Sequence, residues 1–194
     1  MRYLPRIASL SLVLSLQLAC DDPSRLTQPA QEFSDGSASG GSSGSGRLLR
    51  KIQVNDACDG PSFNAAIGPG ACSRRSGLLF DRFIALLAAE QTVGAWNFNP
   101  DEHDVKLGST LLATNRGGEV HSFTRVQAFG GGLVDVLNQL SGNPTPAPEC
   151  LSLAPQDFLP PDATSRTEVG GPGTERFQCC IHPWMRSTIT VRGD

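Results

Sequence analysis

The chain has 194 residues, 39% of them hydrophobic and 18% charged, with 21 glycines and 14 prolines. That composition suits one turn-rich β domain of ordinary size plus extensions. The formal charge is −3, and no Lys/Arg cluster or stacking platform appears, so the composition argues against a nucleic-acid partner.

The first element is a leader. Arg2 and Arg6 precede an apolar run over residues 7–18, too short to span a bilayer comfortably, so residues 1–19 read as a signal peptide of an exported protein. Its end, Gln17-Leu18-Ala19-Cys20, resembles a bacterial lipoprotein box with Cys20 as the lipidated residue, although Gln17 stands where Leu is usual. Ordinary cleavage after Ala19 is the alternative. Asp21 and Asp22 follow; in enteric bacteria an Asp after the lipidated Cys favours the inner membrane. Residues 20–46 then form an anchor and linker, whose second half is Gly/Ser low complexity and reads as flexible coil. Gly40-x-Ser42-x-Gly44 matches a nucleophile elbow in letters only, without the strand-to-helix setting.

Residues 47–194 are expected to fold as one domain. The pattern predicts a strand over 47–55, then a Gly/Pro loop between Cys58 and Cys72. A helix follows over 78–91, whose apolar face (Leu79, Phe80, Phe83, Ile84, Leu86, Leu87) reads as core packing. Strands are expected at 93–98, 104–107, 110–115 and 121–126, with a turn at Gly108-Ser109. His103 falls outside these as a solvated turn residue. Phe129-Gly130-Gly131-Gly132 is a break and not a phosphate loop, since no Gly-Lys-Ser/Thr follows. A short helix over 133–140 precedes a Pro- and Gly-rich surface excursion at 141–175. The last two strands are expected at 174–180 and 187–192.

Between those last strands lies the motif that carries chemistry, Phe177-Gln178-Cys179-Cys180-Ile181-His182-Pro183-Trp184-Met185-Arg186. C-x2-H-x2-M places a thiolate, an imidazole and a thioether within seven residues, three of the four ligand types of a blue-copper site. A second imidazole is available upstream as His121.

The closing segment resembles the short ligand loop of amicyanin and its relatives in the cupredoxin family. The stretch from Trp96 to Ser122 resembles the upstream part of that family's pattern, through Phe98, Pro100, Val105, Gly108, Leu112, Asn115 and His121. The resemblance implies an all-β fold, a cupredoxin-like Greek-key β-sandwich, here with an inserted helix. It implies one mononuclear copper held by His121, Cys179 and His182 with Met185 as weak axial ligand. It also implies one-electron transfer through an exposed edge of His182, with Trp184 either flanking that edge or simply packing nearby. Transient redox proteins would be the partners of a monomer, held to the membrane only by its lipid anchor on the periplasmic or cell-surface side.

Neighbours in a strand point to opposite faces, so Cys179 faces the metal while Cys180 faces away; the reverse choice leaves C-x-H spacing, which fits the resemblance less well. With Cys20 lipidated and Cys179 on the metal, Cys58, Cys72, Cys150 and Cys180 remain for disulfides. Cys58 with Cys72 is the first expectation, because they bracket a short loop, and Cys150 with Cys180 is then left. Ser122 stands where many relatives carry an Asn that ties the two ligand loops together. Copper storage or delivery is a competing function, as is a metal-free binding module. A zinc site from Cys179, Cys180, His121 and His182 is a further possibility. Enzymes of this kind need additional histidine clusters, and the chain has three histidines, so it is not expected to be an enzyme.

Overall fold

The computed structural model describes residues 48–193. The leader, Cys20 and the linker lie outside the described residues. In chain order the elements are β1 (Leu49–Asn55), α1 (Gly60–Ala66), α2 (Phe80–Glu90), β2 (Asn97–Asn99), β3 (Glu102–Lys106), β4 (Thr110–Asn115), β5 (His121–Ser122), β6 (Thr124–Val126), α3 (Asp135–Leu140), β7 (Phe158–Leu159), β8 (Thr164–Glu168), β9 (Gly173–Gln178) and β10 (Arg186–Arg192).

Two four-stranded sheets carry the fold, in the orders β2-β1-β4-β8 and β3-β10-β9-β6. Both are mixed: β1 runs parallel to β4 and antiparallel to β2, and β10 runs parallel to β3 and antiparallel to β9. Alternation along each strand sends one set of side chains inward. Ile52, Val54, Phe98, Leu111 and Ala113 of the first sheet meet Val105, Phe177, Ile189 and Val191 of the second in one core. Each larger apolar side chain so buried contributes about 1.5–3 kcal/mol. Phe123 bridges the layers, edge-on to Phe98 and stacked on Phe177 at 4.4 Å. This is the expected all-β sandwich.

Several local expectations are corrected. Within the Cys58–Cys72 loop lies α1: Asp59 caps it by accepting from the Ser62 N–H, and Pro61 opens its first turn. Residues 93–96 form a turn closed by Trp96 N–H to Val93 C=O, so only the end of the expected strand, Asn97–Asn99, pairs. His103 sits inside β3, half-buried, and not in a solvated turn. Burial, then the neighbouring Arg50 charge, pushes its pKa down. The 121–126 strand divides at Phe123, with β5 pairing β7 and β6 pairing β9. The 141–175 excursion contains β8, which completes the first sheet. Its sequence, Thr-Ser-Arg-Thr-Glu, carries no apolar residue, so an edge strand exposed on one side gives no hydrophobic signature.

The helix expected over 78–91 forms as α2 and ends at Gln91 in the left-handed region (φ 58°). Only Phe83 and Leu87 of its apolar stripe are buried; Leu79 is 57% exposed. Phe80, Ile84 and Leu86 are partly buried and pack against the same core, so Leu79 alone departs from core packing.

Candidate metal centre

β9 and β10 pair up to Gln178 opposite Arg186, leaving residues 179–185 as a tight loop. The loop closes on itself, with Cys179 N–H donating to Met185 C=O and Met185 N–H donating to His182 C=O, at 3.0 and 2.9 Å. Such a short span presents Cys179, His182 and Met185 from one backbone segment. Met185 is buried within the main core. His121 arrives on β5, held opposite Leu159 of β7.

The geometry is compact. Cys179 Sγ lies 3.8 Å from His121 Nδ1 and 3.8 Å from His182 Nδ1. The three side chains are buried and their donor atoms fall within 4.8 Å of one another, so they can hold a metal ion. Bonds of roughly 2.3 Å to sulfur and 2.0 Å to imidazole nitrogen, opened to about 120°, separate the two donor atoms by about 3.8 Å. The donor set therefore fits a first-row metal without rearrangement.

The disulfides pair as expected, Cys58 with Cys72 and Cys150 with Cys180, which leaves Cys179 as the free thiol among the described residues. Ser122 fills the tying role expected of an Asn. Its N–H donates to Cys179 Sγ (3.4 Å), and its Oγ accepts from the Cys180 N–H (2.9 Å).

Two carboxylates absent from the sequence expectation stand behind the histidines. Asp56 Oδ2 accepts from His121 Nε2 at 2.9 Å. Glu119 Oε2 lies 3.7 Å from His182 Nε2 and accepts from Trp96 Nε1 at 2.6 Å. With Nε2 protonated and turned to a carboxylate, each ring presents its Nδ1 lone pair to the site, the usual support of a metal-bound imidazole. Asp56 is itself fixed by the N–H groups of Gly118 and Glu119. A Cβ on Gly117 would overlap its carboxylate, so glycine there permits the close approach. Asp56, Cys58 and Glu119 also lie together, but Cys58 is spent in a disulfide, so they are no second metal site. Strand parity was the available signal. Asp56 continues the inward series Ile52, Val54, and Glu119 precedes His121 by two.

These contacts set the charges of the metal-free site. Burial raises the Asp56 carboxyl, but the bonds from His121, Gly118 and Glu119 override it and hold the group well below the usual carboxylate range. Burial lowers His121, yet its bonds to Asp56 and Cys179 lift it to about 9. Burial raises Cys179, and its contacts with His121 and His182 outweigh this and bring it well below the usual thiol value. Glu119 is pushed up, chiefly by burial. The metal-free site is thus a thiolate beside an imidazolium.

One expectation about His182 is corrected. Its edge is not open: the residue is 2% exposed. Trp184 stands edge-on to it at 5.4 Å and meets Phe83 at 5.9 Å. Phe83 also packs on Trp96 and Phe63. The inserted helices thus form an aromatic cap over the end of the sandwich where His182 lies.

No family model and no curated protein matches the chain. Among solved structures, it is similar to a purple cupredoxin from Nitrosopumilus maritimus (14% identity, 73% of this chain and 98% of that one, TM-score 0.41). It is also similar to the oxidised plastocyanin of Dryopteris crassirhizoma (19% identity, 74% and 100%, TM-score 0.37). A third is amicyanin from Paracoccus versutus (17% identity, 50% and 73%, TM-score 0.33). Two mixed sheets face each other here, with the thiol loop between the last two strands. That arrangement is a β-sandwich. The chemistry rests on the residues. No helix among the described residues is long and apolar enough to cross a membrane.

Proposed function

We propose that this protein carries one mononuclear type 1 copper and transfers single electrons, with His121, Cys179 and His182 as equatorial ligands and Met185 as the weak axial one. The observation that carries this is the buried free thiol set 3.8 Å from the Nδ1 atoms of two buried histidines. Copper in such a donor set would supply a one-electron couple, since a soft thiolate suits Cu(I) and imidazoles accept Cu(II). The chain's own part is to keep that couple rigid. Asp56 fixes His121, the Ser122 N–H holds the sulfur, and the 179–185 turn holds His182 and Met185 in register. Burial of all donors excludes water and slows metal exchange, which favours electron transfer over storage or delivery. Transient redox proteins are the partners, and no bound substrate is required, so the protein is not an enzyme.

Titrating the copper-free protein with Cu(II) while recording visible and electron paramagnetic resonance spectra tests this. An intense thiolate-to-copper band should saturate at one equivalent and vanish in Cys179→Ser. Absence of the band in the parent would overturn the reading. Rapid loss of Cu(I) to a weak chelator would favour delivery instead.

A further inference from the structure

Beside the cap lies a cavity of about 420 Å³ that the electron-transfer reading does not use. Phe63, Phe83 and Ile84 of the inserted helices wall one side and Leu137 of α3 another, while Glu119 and His182 line it as polar groups. Ile67 and Val136, which also line it, are 59% and 58% exposed. Phe80 and Ile84 of the α2 stripe, partly buried against the core, turn their remaining surface to this space. An apolar hollow with one or two convergent polar groups is the usual form of a small-molecule site.

The lining selects the ligand. A cavity of about 150 Å³ holds one benzene ring, so this one has room for two fused rings with space to spare. The contacts of the Glu119 carboxylate with Trp96 and His182 both run through Oε2, leaving Oε1 to accept from a ligand. We propose that this cavity binds a neutral bicyclic aromatic bearing one hydroxyl, which donates to Glu119 while its rings lie among Phe63, Phe83 and Leu137. Such a ligand would lie against His182, whose edge is otherwise covered. The proposal goes beyond the copper reading and stands without it, because the metal-free chain already holds the cavity.

The test titrates the copper-free exported chain with 2-naphthol by calorimetry, following the Trp96 indole N–H by nuclear magnetic resonance. Saturable 1:1 binding should shift that resonance, because Trp96 shares the Glu119 carboxylate. 2-Methoxynaphthalene, which has no donor, should bind about tenfold or more weakly, as expected for loss of a bond to a charged acceptor. Val136→Trp or Ile67→Trp, both at exposed positions, should block binding while circular dichroism stays that of the parent. Absence of saturable binding would overturn the proposal. So would equal affinity for the naphthol and its methyl ether, or binding that survives both tryptophan variants. Failure on any of these leaves the copper titration unaffected, and a colourless copper titration leaves this binding intact.

Discussion

At the residue scale the Asp56–His121–Cys179 chain decides how the metal-free protein responds to pH. His121 has a raised pKa, so its contribution to stability is full below the unfolded value of 6.5 and fades as pH rises toward about 9. Cys179 has a lowered one, so its contribution is full above the unfolded 9.0 and fades as pH falls. Between 6.5 and 9 the two dependences have opposite signs and offset one another. The unfolding midpoint of the copper-free protein should therefore change little from pH 6.5 to 9. It should fall below 6.5, as the unfolded histidine takes up a proton, and again below about 3.8, where Asp56 loses its depressed-pKa contribution. Cys179→Ser removes one half of that offset. Its midpoint should decline with rising pH above 6.5, as measured by thermal melts at fixed ionic strength. A flat profile in that variant would show that Asp56 alone does not hold the imidazolium.

At the element scale the question is what holds the cap of α1 and α2 onto the sandwich. The Cys58–Cys72 bridge closes a span of 14 residues, a constraint of about 3 kcal/mol in the chain-entropy picture. In a domain of this size about 1 kcal/mol moves the melting midpoint by roughly 2–4 °C. Both cysteines are buried, so alanine is the replacement that leaves no unpaired polar group. Cys58→Ala/Cys72→Ala should melt roughly 6–12 °C lower and still take up copper, since neither residue is a donor. A drop under about 2 °C would assign the cap's stability to the aromatic contacts of Phe63, Phe83 and Trp96. The same cap shows the limits of the sequence. The ligand loop was legible because Cys179, His182 and Met185 lie within one turn of backbone, and the disulfide pairing followed from the cysteines that remained. α1 was not legible, because its signals (the Asp59 cap, Pro61) sit in a run of turn-forming residues. β8 was hidden because an edge strand can be wholly polar. Asp56 and Glu119 were missed because their side-chain partners, His121 for the one and Trp96 and His182 for the other, are distant in sequence. For the same reason the burial of His182 was unreadable: the residues covering it come from helices about a hundred positions earlier.

At the scale of the whole molecule, a copper centre at one end of a sandwich is useful only if that end can reach a partner. Membrane attachment rests on Cys20, which is proposed to carry lipid on the exported side of a bacterial membrane. A single acyl chain gives only marginal membrane binding, and stable anchoring takes more than one, as a lipid-modified N-terminal cysteine would provide. Cys20→Ser should therefore move the processed protein from the membrane pellet to the soluble fraction after cell lysis, with its copper band unchanged. Detergent should release the parent to the same degree. Should Cys20→Ser still sediment with membranes and resist high salt, retention of the uncleaved leader, whose apolar run covers residues 7–18, would be the anchor in place of lipid. N-terminal sequencing of the pelleted protein separates these outcomes: a chain blocked at Cys20 supports lipid, and one that begins at Met1 supports the leader.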